Sequence, residues 1–323
     1  MAERPRYRSV VADSARWEGF EFRDGDIVIS TPPKCGTTWT QMLVGMLVFG
    51  SADFPRPLSE ISLWLDMQLA SKDDVFARLG AQTHRRFIKS HTALPGLPYD
   101  ERVTYICVGR DPRDVAVSCR HHMSNIDLDQ FLKLREQAVG NEDLAELIPQ
   151  QQKQPMDPIL EYLETEINTD NLNVMTLSYV LHHLQSFWDR RDDNNVALFH
   201  YSDLQADLPG QLRRLAGVLE IEVDDAKVDE LASAASFAAM RDNAEMVAPN
   251  SDLAIWKSTT DFFHRGSNGQ WREAFDDAML RRYDERAAAL AAPDLLAWVH
   301  SGWLGLGGSP QRVRGSLGPV TPQ

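Results

Sequence analysis

The chain has 323 residues, 43% of them hydrophobic and 25% charged, the balance of a globular protein long enough for one large α/β domain or two small ones. Its formal net charge of −14 argues against nucleic acid as a partner, because gripping a phosphate backbone needs a basic surface. The cysteines are three, Cys35, Cys107 and Cys119, an odd number without metal-ligand spacing, which argues against a disulfide framework and a zinc site.

The opening residues, MAERPRYRSVVADSARWEGFEF, have no apolar core like that of a signal peptide, and no apolar run in the chain could span a bilayer. The expectation is a cytoplasmic protein without a transmembrane segment. Trp17, Phe20 and Phe22 read as aromatic anchors of this N-terminal segment. Ile27–Val28–Ile29 then reads as a buried parallel strand, stopped by Thr31–Pro32–Pro33 because proline has no N–H for a ladder. Trp39, Met42, Leu43, Met46 and Leu47 follow at helical spacing. Between strand and helix lies Lys34–Cys35–Gly36–Thr37–Thr38. Unpaired N–H groups and the helix dipole make such a start an anion site, and Lys34 adds a full charge. It is not a Walker A loop, since the lysine precedes the glycine and no glycine stands at the start.

Short helices are expected near Leu63–Leu69 and Asp73–Leu79, with Trp64 and Met67 either core or lining of an apolar pocket. Arg86–His91 is a second short strand. Lys89 and His91 alternate to one face of it, and His91 falls beyond its carboxyl end, where parallel sheets hold ligands; the alternative is a surface histidine in the loop before Pro95 and Pro98. Val103–Val108 is a third strand, running into Gly109–Arg110–Asp111–Pro112, with Asp111 as the cap of a helix that Pro112 begins. Arg110 and Ser118 could hold a second anion; the alternatives are Arg110 paired with Asp111 or Asp114, or a Walker B strand, which Gly109–Arg110 interrupts. Lys34, Arg85, Arg86, Lys89, Arg110 and Arg113 gather basic groups in or beside these segments, for an anionic ligand or as a solvated charged face.

Residues 124–175 are mixed, with one helix around Phe131 and the polar run from Pro149 to Pro155, and fit either a lid or acceptor-binding insertion or a surface excursion. Val180–Trp188 reads as a helix, Val196–Tyr201 as a fourth strand, and Leu208–Leu219, Ala226–Ala235 and Asp276–Leu290 as helices. Between the last two lies a glycine-bearing loop, Phe262–Trp271, with the basic pair His264–Arg265. Alternating strand and helix imply an α/β fold, a central parallel sheet flanked by helices. Neither a repeat nor a second-domain boundary is visible, so residues 1–306 are expected to form one domain, with 307–323, rich in Gly, Pro and Ser, a disordered tail.

TPPKCGTTW, RFIKSH, YICVGRDPRDVAVS and FFHRGSNGQW, in this order from about Phe22 to Phe275, resemble the motifs of the cytosolic-type sulfotransferases. HRRFIKSHT, TYICVGRDPRD, VALFHYSD and APDLLAW look like the mycobacterial glycolipid branch of that family. The resemblance implies the P-loop-like sulfotransferase fold and a co-substrate, 3′-phosphoadenosine 5′-phosphosulfate. It implies Lys34, Cys35, Gly36, Thr37, Thr38 and Trp39 at the 5′-phosphosulfate, and Arg110 and Ser118 at the 3′-phosphate. Tyr201 and Phe237, with Trp39, would meet the adenosine, while His264, Arg265 and Gly266 would close the site. His91 would be the base, with Lys34 and Lys89 as catalytic cations and no metal. The acceptor would be a small-molecule or glycolipid hydroxyl.

Three departures stand out. Cys35 replaces the usual serine of the loop, His264–Arg265 stands where Arg-Lys is common, and the family's dimerisation stretch is not kept in REAFDDAMLRR after Trp271, which leaves a dimer through that contact doubtful. Two other readings compete: a magnesium-dependent P-loop kinase or NTPase on the same strand–loop–helix, and a non-catalytic nucleotide-binding module.

Overall fold

The computed structural model describes residues 4–147 and 156–308. Four short strands, β1 (Ile27–Ser30), β2 (Phe87–Ser90), β3 (Thr104–Gly109) and β4 (Val196–His200), form one parallel sheet in the order β2-β1-β3-β4. Almost every strand residue is buried, as expected of a sheet covered on both faces. Alternate residues part to opposite sides. Val28, Ile88, Tyr105, Cys107 and Leu198 pack under the helices Pro112–Asn125, Leu177–Trp188, Asp277–Leu290 and Pro293–Gly305. Ile27, Ile29, Phe87, Ile106, Val108 and Phe199 face the helices Thr37–Phe49, Leu208–Val218 and Asp225–Ala234.

Register lines up the carboxyl ends: Ser30 lies opposite Ser90, and Gly109 opposite His200. The residue after each strand therefore opens on one end of the sheet: Thr31, His91, Arg110 and Tyr201.

The expected helix over Leu63–Leu69 is not formed. A four-residue helix, Leu58–Ile61, ends just before it, and Leu63–Leu65 runs extended beside β2. Lys89 N–H donates to Leu63 O at 2.9 Å and Leu65 N–H to Lys89 O at 3.3 Å. The stretch covers the open edge of β2, and being apolar toward two neighbours at once it imitates a helical pattern.

Within 124–175 lie the helices Leu128–Val139, Leu144–Leu147 and Pro158–Glu164. The run from Pro149 to Pro155 falls outside the described residues, as does the tail beyond Gly308. Gly307 and Gly308 still bond back to Leu304 and Trp303.

Candidate active site

A cavity of about 450 Å³ opens at the carboxyl end of the sheet. Of the residues singled out in the sequence, Lys34, Gly36, Thr37, Thr38, Trp39, Lys89, His91, Arg110, Ser118, Tyr201, Phe237, His264, Arg265 and Gly266 line it. Cys35 does not. Its side chain is buried in the core under β3, and its N–H donates at 3.4 Å to Pro32 O.

The loop after β1 turns through two left-handed residues, Lys34 (φ 67°) and Gly36 (φ 108°). A side chain at Gly36 would press on the Tyr201 ring at 3.0 Å and carry a strained φ. Gly36 is the N-cap of the helix Thr37–Phe49, and no side chain caps that helix. Its first N–H groups are thus left for something else to satisfy. Thr37 ties back to Thr31 through their hydroxyls.

Arg110, 5% exposed, pairs with neither carboxylate weighed for it. Asp111 caps the helix Pro112–Asn125 and holds Arg113 at 2.7 Å. Asp114 accepts N–H bonds from Gly269 (2.7 Å) and Trp271 (3.1 Å), stapling the glycine loop to that helix. Arg110 donates to Lys34 O (3.0 Å) and Ser267 O (3.1 Å), lies 4.3 Å over the Tyr201 ring, and its buried Nε has no partner. Two cations of the expected cluster sit at the other end of the sheet: Arg86 is paired with Asp26, and Arg85 binds the carbonyls of Gly25 and Leu219. They satisfy the strand starts and have no share in the cavity.

Aromatic rings frame the cavity wall beside Arg110. Trp39 meets Tyr201 edge-on at 5.5 Å, and Phe237 meets Phe263 at 6.2 Å. Gly266 has φ 63°, and any side chain there would run into Phe237. Tyr201 OH donates to Gly266 O at 3.1 Å. The rings of His264 and His121 stack at 3.8 Å.

The sulfotransferase domain family matches residues 24–292. The chain belongs to the sulfotransferase family. It is 45% identical over 312 residues to a glycolipid sulfotransferase of Mycobacterium tuberculosis, covering 94% of this chain and 96% of that protein. It is 25% identical over 290 residues to sulfotransferase 1B1 of Canis lupus familiaris, covering 86% and 88%. Among solved structures, its fold is similar to retinol dehydratase in a complex with retinol and PAP (TM-score 0.66, 21% identity, 85% and 84% covered) and to a mouse sulfotransferase complexed with PAP (TM-score 0.63, 20%, 88% and 92%). These matches do not favour the kinase or NTPase reading.

In this sulfotransferase the corner of the cavity around His91, Lys89 and Lys34 is held tightly. His91 Nδ1 lies 2.7 Å from Thr31 O. A carbonyl only accepts, so Nδ1 carries the proton and Nε2 keeps its lone pair. The ring packs edge-on against Trp64 at 4.7 Å, and Lys89 Nζ lies 4.1 Å over the same indole. Lys34 Nζ donates to His122 Nδ1 at 3.2 Å and sits 4.4 Å over Phe262. Burial lowers Lys34 to about 8, and burial with repulsion from Lys34 lowers Lys89 to about 7. Burial, then the Lys89 charge, holds His91 well below its ordinary value. Among the described residues, no carboxylate forms an ion pair with Lys34, Lys89 or Arg110, so the cavity is short of negative charge.

Sequence reading missed several wall residues. Tyr7 and Val10–Ala12 come from the N-terminal segment, His122 from the Arg110 helix, and Asn250, Ile255 and Trp256 from an irregular stretch. His122, four residues beyond Ser118, was open to discovery as the next turn of the same helix face. The others carry no local signal.

Proposed function

We propose that the chain transfers a sulfuryl group from 3′-phosphoadenosine 5′-phosphosulfate to an acceptor hydroxyl, acting as one domain over 1–306. The observation that carries the reading is the His91 imidazole: neutral, fixed through Nδ1–H, with its Nε2 lone pair free on a cavity wall that also holds two buried lysines. Such a group takes a proton from an alcohol and cannot serve as a permanent cation.

The residues fit the donor. The uncapped helix start at Gly36–Trp39 and the Lys34 ammonium suit a phosphosulfate. Arg110, with an unsatisfied Nε and no carboxylate, together with Ser118 suits a second phosphate, and Arg265 with His264 and Gly266 lies at its rim. Trp39, Tyr201 and Phe237 offer apolar faces to a purine. Cys35 would contribute backbone alone. The bound donor supplies an activated sulfur with a phosphate leaving group. His91 Nε2 takes the acceptor proton as the new S–O bond forms. Lys34 meets the electron pair that leaves with the bridging oxygen, and Lys89 faces the sulfuryl oxygens.

An amphiphilic acceptor, such as a glycolipid, suits the other half of the cavity, where Trp64, Met67, Phe131, Leu172 and Ile255 make an apolar wall. The name of the mycobacterial relative supports the same class. The test is transfer of labelled sulfuryl to octyl β-glucoside, to phenols and to lipid extracts, with EDTA present. Transfer is expected to persist in EDTA. His91→Ala is expected to lower turnover by about 10²–10⁴-fold while leaving the affinity for adenosine 3′,5′-bisphosphate intact. Near-normal turnover in that variant removes His91 from the mechanism.

A further inference from the structure

Asp66 is completely buried, and its carboxylate collects four side-chain donors. Trp17 Nε1 (3.0 Å), Ser90 Oγ (2.5 Å) and Thr92 Oγ1 (2.8 Å) bond to Oδ2, and Trp64 Nε1 (2.5 Å) bonds to Oδ1. Three of these four donors border the reactive corner. Ser90 and Thr92 are the chain neighbours of His91 on either side, and Trp64 is the ring against which both His91 and Lys89 rest. The backbone on both sides is fixed as well, with Lys89 laddered to Leu63 and Leu65 and Thr92 N–H on Ser90 Oγ at 2.9 Å. Three of the four donors thus flank or touch His91, two from its own chain segment Ser90–Thr92 and one, Trp64, from the stretch beside it.

We propose that Asp66 is a positioning residue for sulfuryl transfer: through its hydrogen bonds with Trp64, Ser90 and Thr92 it sets the orientation of His91 and of the indole on which Lys89 rests. The inference rests on the roles given above to His91 and Lys89. Burial raises the Asp66 carboxyl above its ordinary value, and the hydrogen bonds from Ser90, Trp17, Thr92 and Trp64 pull it back down. Its charged neighbours are Lys89 and Arg16, the latter spent on the carbonyls of Leu65 and Ala70. Facing Lys89 and His91 from the other elements are Lys34 and His183, and both act against further positive charge.

Releasing Trp64 and the Ser90–Thr92 segment misaims the imidazole, a displacement that costs on the order of 10²-fold in rate.

The experiment is Asp66→Asn in the full chain, with transfer to octyl β-glucoside, calorimetric binding of adenosine 3′,5′-bisphosphate, and imidazole ¹⁵N–¹H correlation spectra with His91 identified by a His91→Gln variant. Expected are a kcat about 10²-fold lower, nucleotide affinity within roughly threefold of wild type, and loss of the single Nδ1–H pattern at His91. Unchanged kcat in a folded Asp66→Asn protein, or kcat and nucleotide affinity lost together, would overturn the proposal. If Asp66→Asn does not fold, Trp64→Phe and Thr92→Val each delete one donor and keep the shape; each is expected to lower kcat with nucleotide binding kept, and normal kcat in both overturns it. A wild-type protein that transfers nothing sinks the sulfuryl-transfer reading instead, and the His91 spectra then decide the Asp66 proposal alone.

Discussion

Lys34, Lys89 and His91 are shifted in one direction, and the proposed mechanism needs them in two opposite states. Burial works against the charged form of each, leaving Lys34 near about 8, Lys89 near about 7 and His91 well below its usual range. An anion needs the lysines protonated, whereas proton abstraction needs the imidazole neutral. Acidification from neutral to about pH 6 leaves His91 neutral and charges the lysines more fully, so kcat/KM for the donor should hold on that side. Alkalinisation from about pH 7 strips first Lys89 and then Lys34, so kcat/KM should fall there, with the lysines setting the limb. A profile that instead collapses on the acid side near pH 6 would assign the titration to an ordinary histidine.

The helix Pro112–Asn125 carries part of the cavity proposed for the donor on one face and the glycine loop on another. Asp114 accepts the N–H groups of Gly269 and Trp271, and burial raises its carboxyl while those two bonds lower it. Asp114→Ala leaves both N–H groups without that acceptor and frees the loop that carries Arg265 and Gly266. Loss of these charge-assisted bonds should weaken adenosine 3′,5′-bisphosphate binding by about 1–3 kcal/mol, read by calorimetry, while the circular dichroism spectrum stays that of the wild type. Unchanged affinity would mean that the Phe237 contact at Gly266 suffices to hold the loop. Much of this half was legible in the sequence because each part is local. A strand end, the lysine after it and the helix it opens lie within about one dozen residues, where proline, glycine and spacing speak directly.

At the scale of the whole molecule the half of the cavity proposed for the acceptor is assembled from five separated stretches: residues 7–12, 64–67, 123–132, 172–179 and 249–256. Trp64 and Met67, which the sequence left open between core and pocket lining, do stand on the wall, but the other stretches have no pattern of their own that says they line a cavity. Leu63–Leu69 shows the limit well, since its apolar residues serve β2 on one side and the N-terminal segment on the other and so imitate a helix. Asp66 within it carries no sequence mark of burial, because its four donors come together only in the fold. Phe131, 5% exposed and on that wall, gives the test of this half. Phe131→Ala should raise the acceptor KM by about 10–100-fold and leave nucleotide affinity unchanged, because the two halves share no side chain at that point. A matching loss of nucleotide affinity would mean that the wall supports the sheet end and not the acceptor alone.

Cys35, Cys107 and Cys119 are all free and buried, and burial lifts the Cys119 thiol to about 12 and raises the other two as well. Alkylating reagents attack thiolates, so folded protein should resist iodoacetamide under conditions that modify a small-molecule thiol at once. Each sulfur then becomes a clock for breathing of its surroundings. Cys35 stands in the turn beneath Lys34, Cys107 in the middle of β3, and their relative labelling times separate a local excursion of that turn from opening of the whole sheet. Adenosine 3′,5′-bisphosphate should slow the first far more than the second.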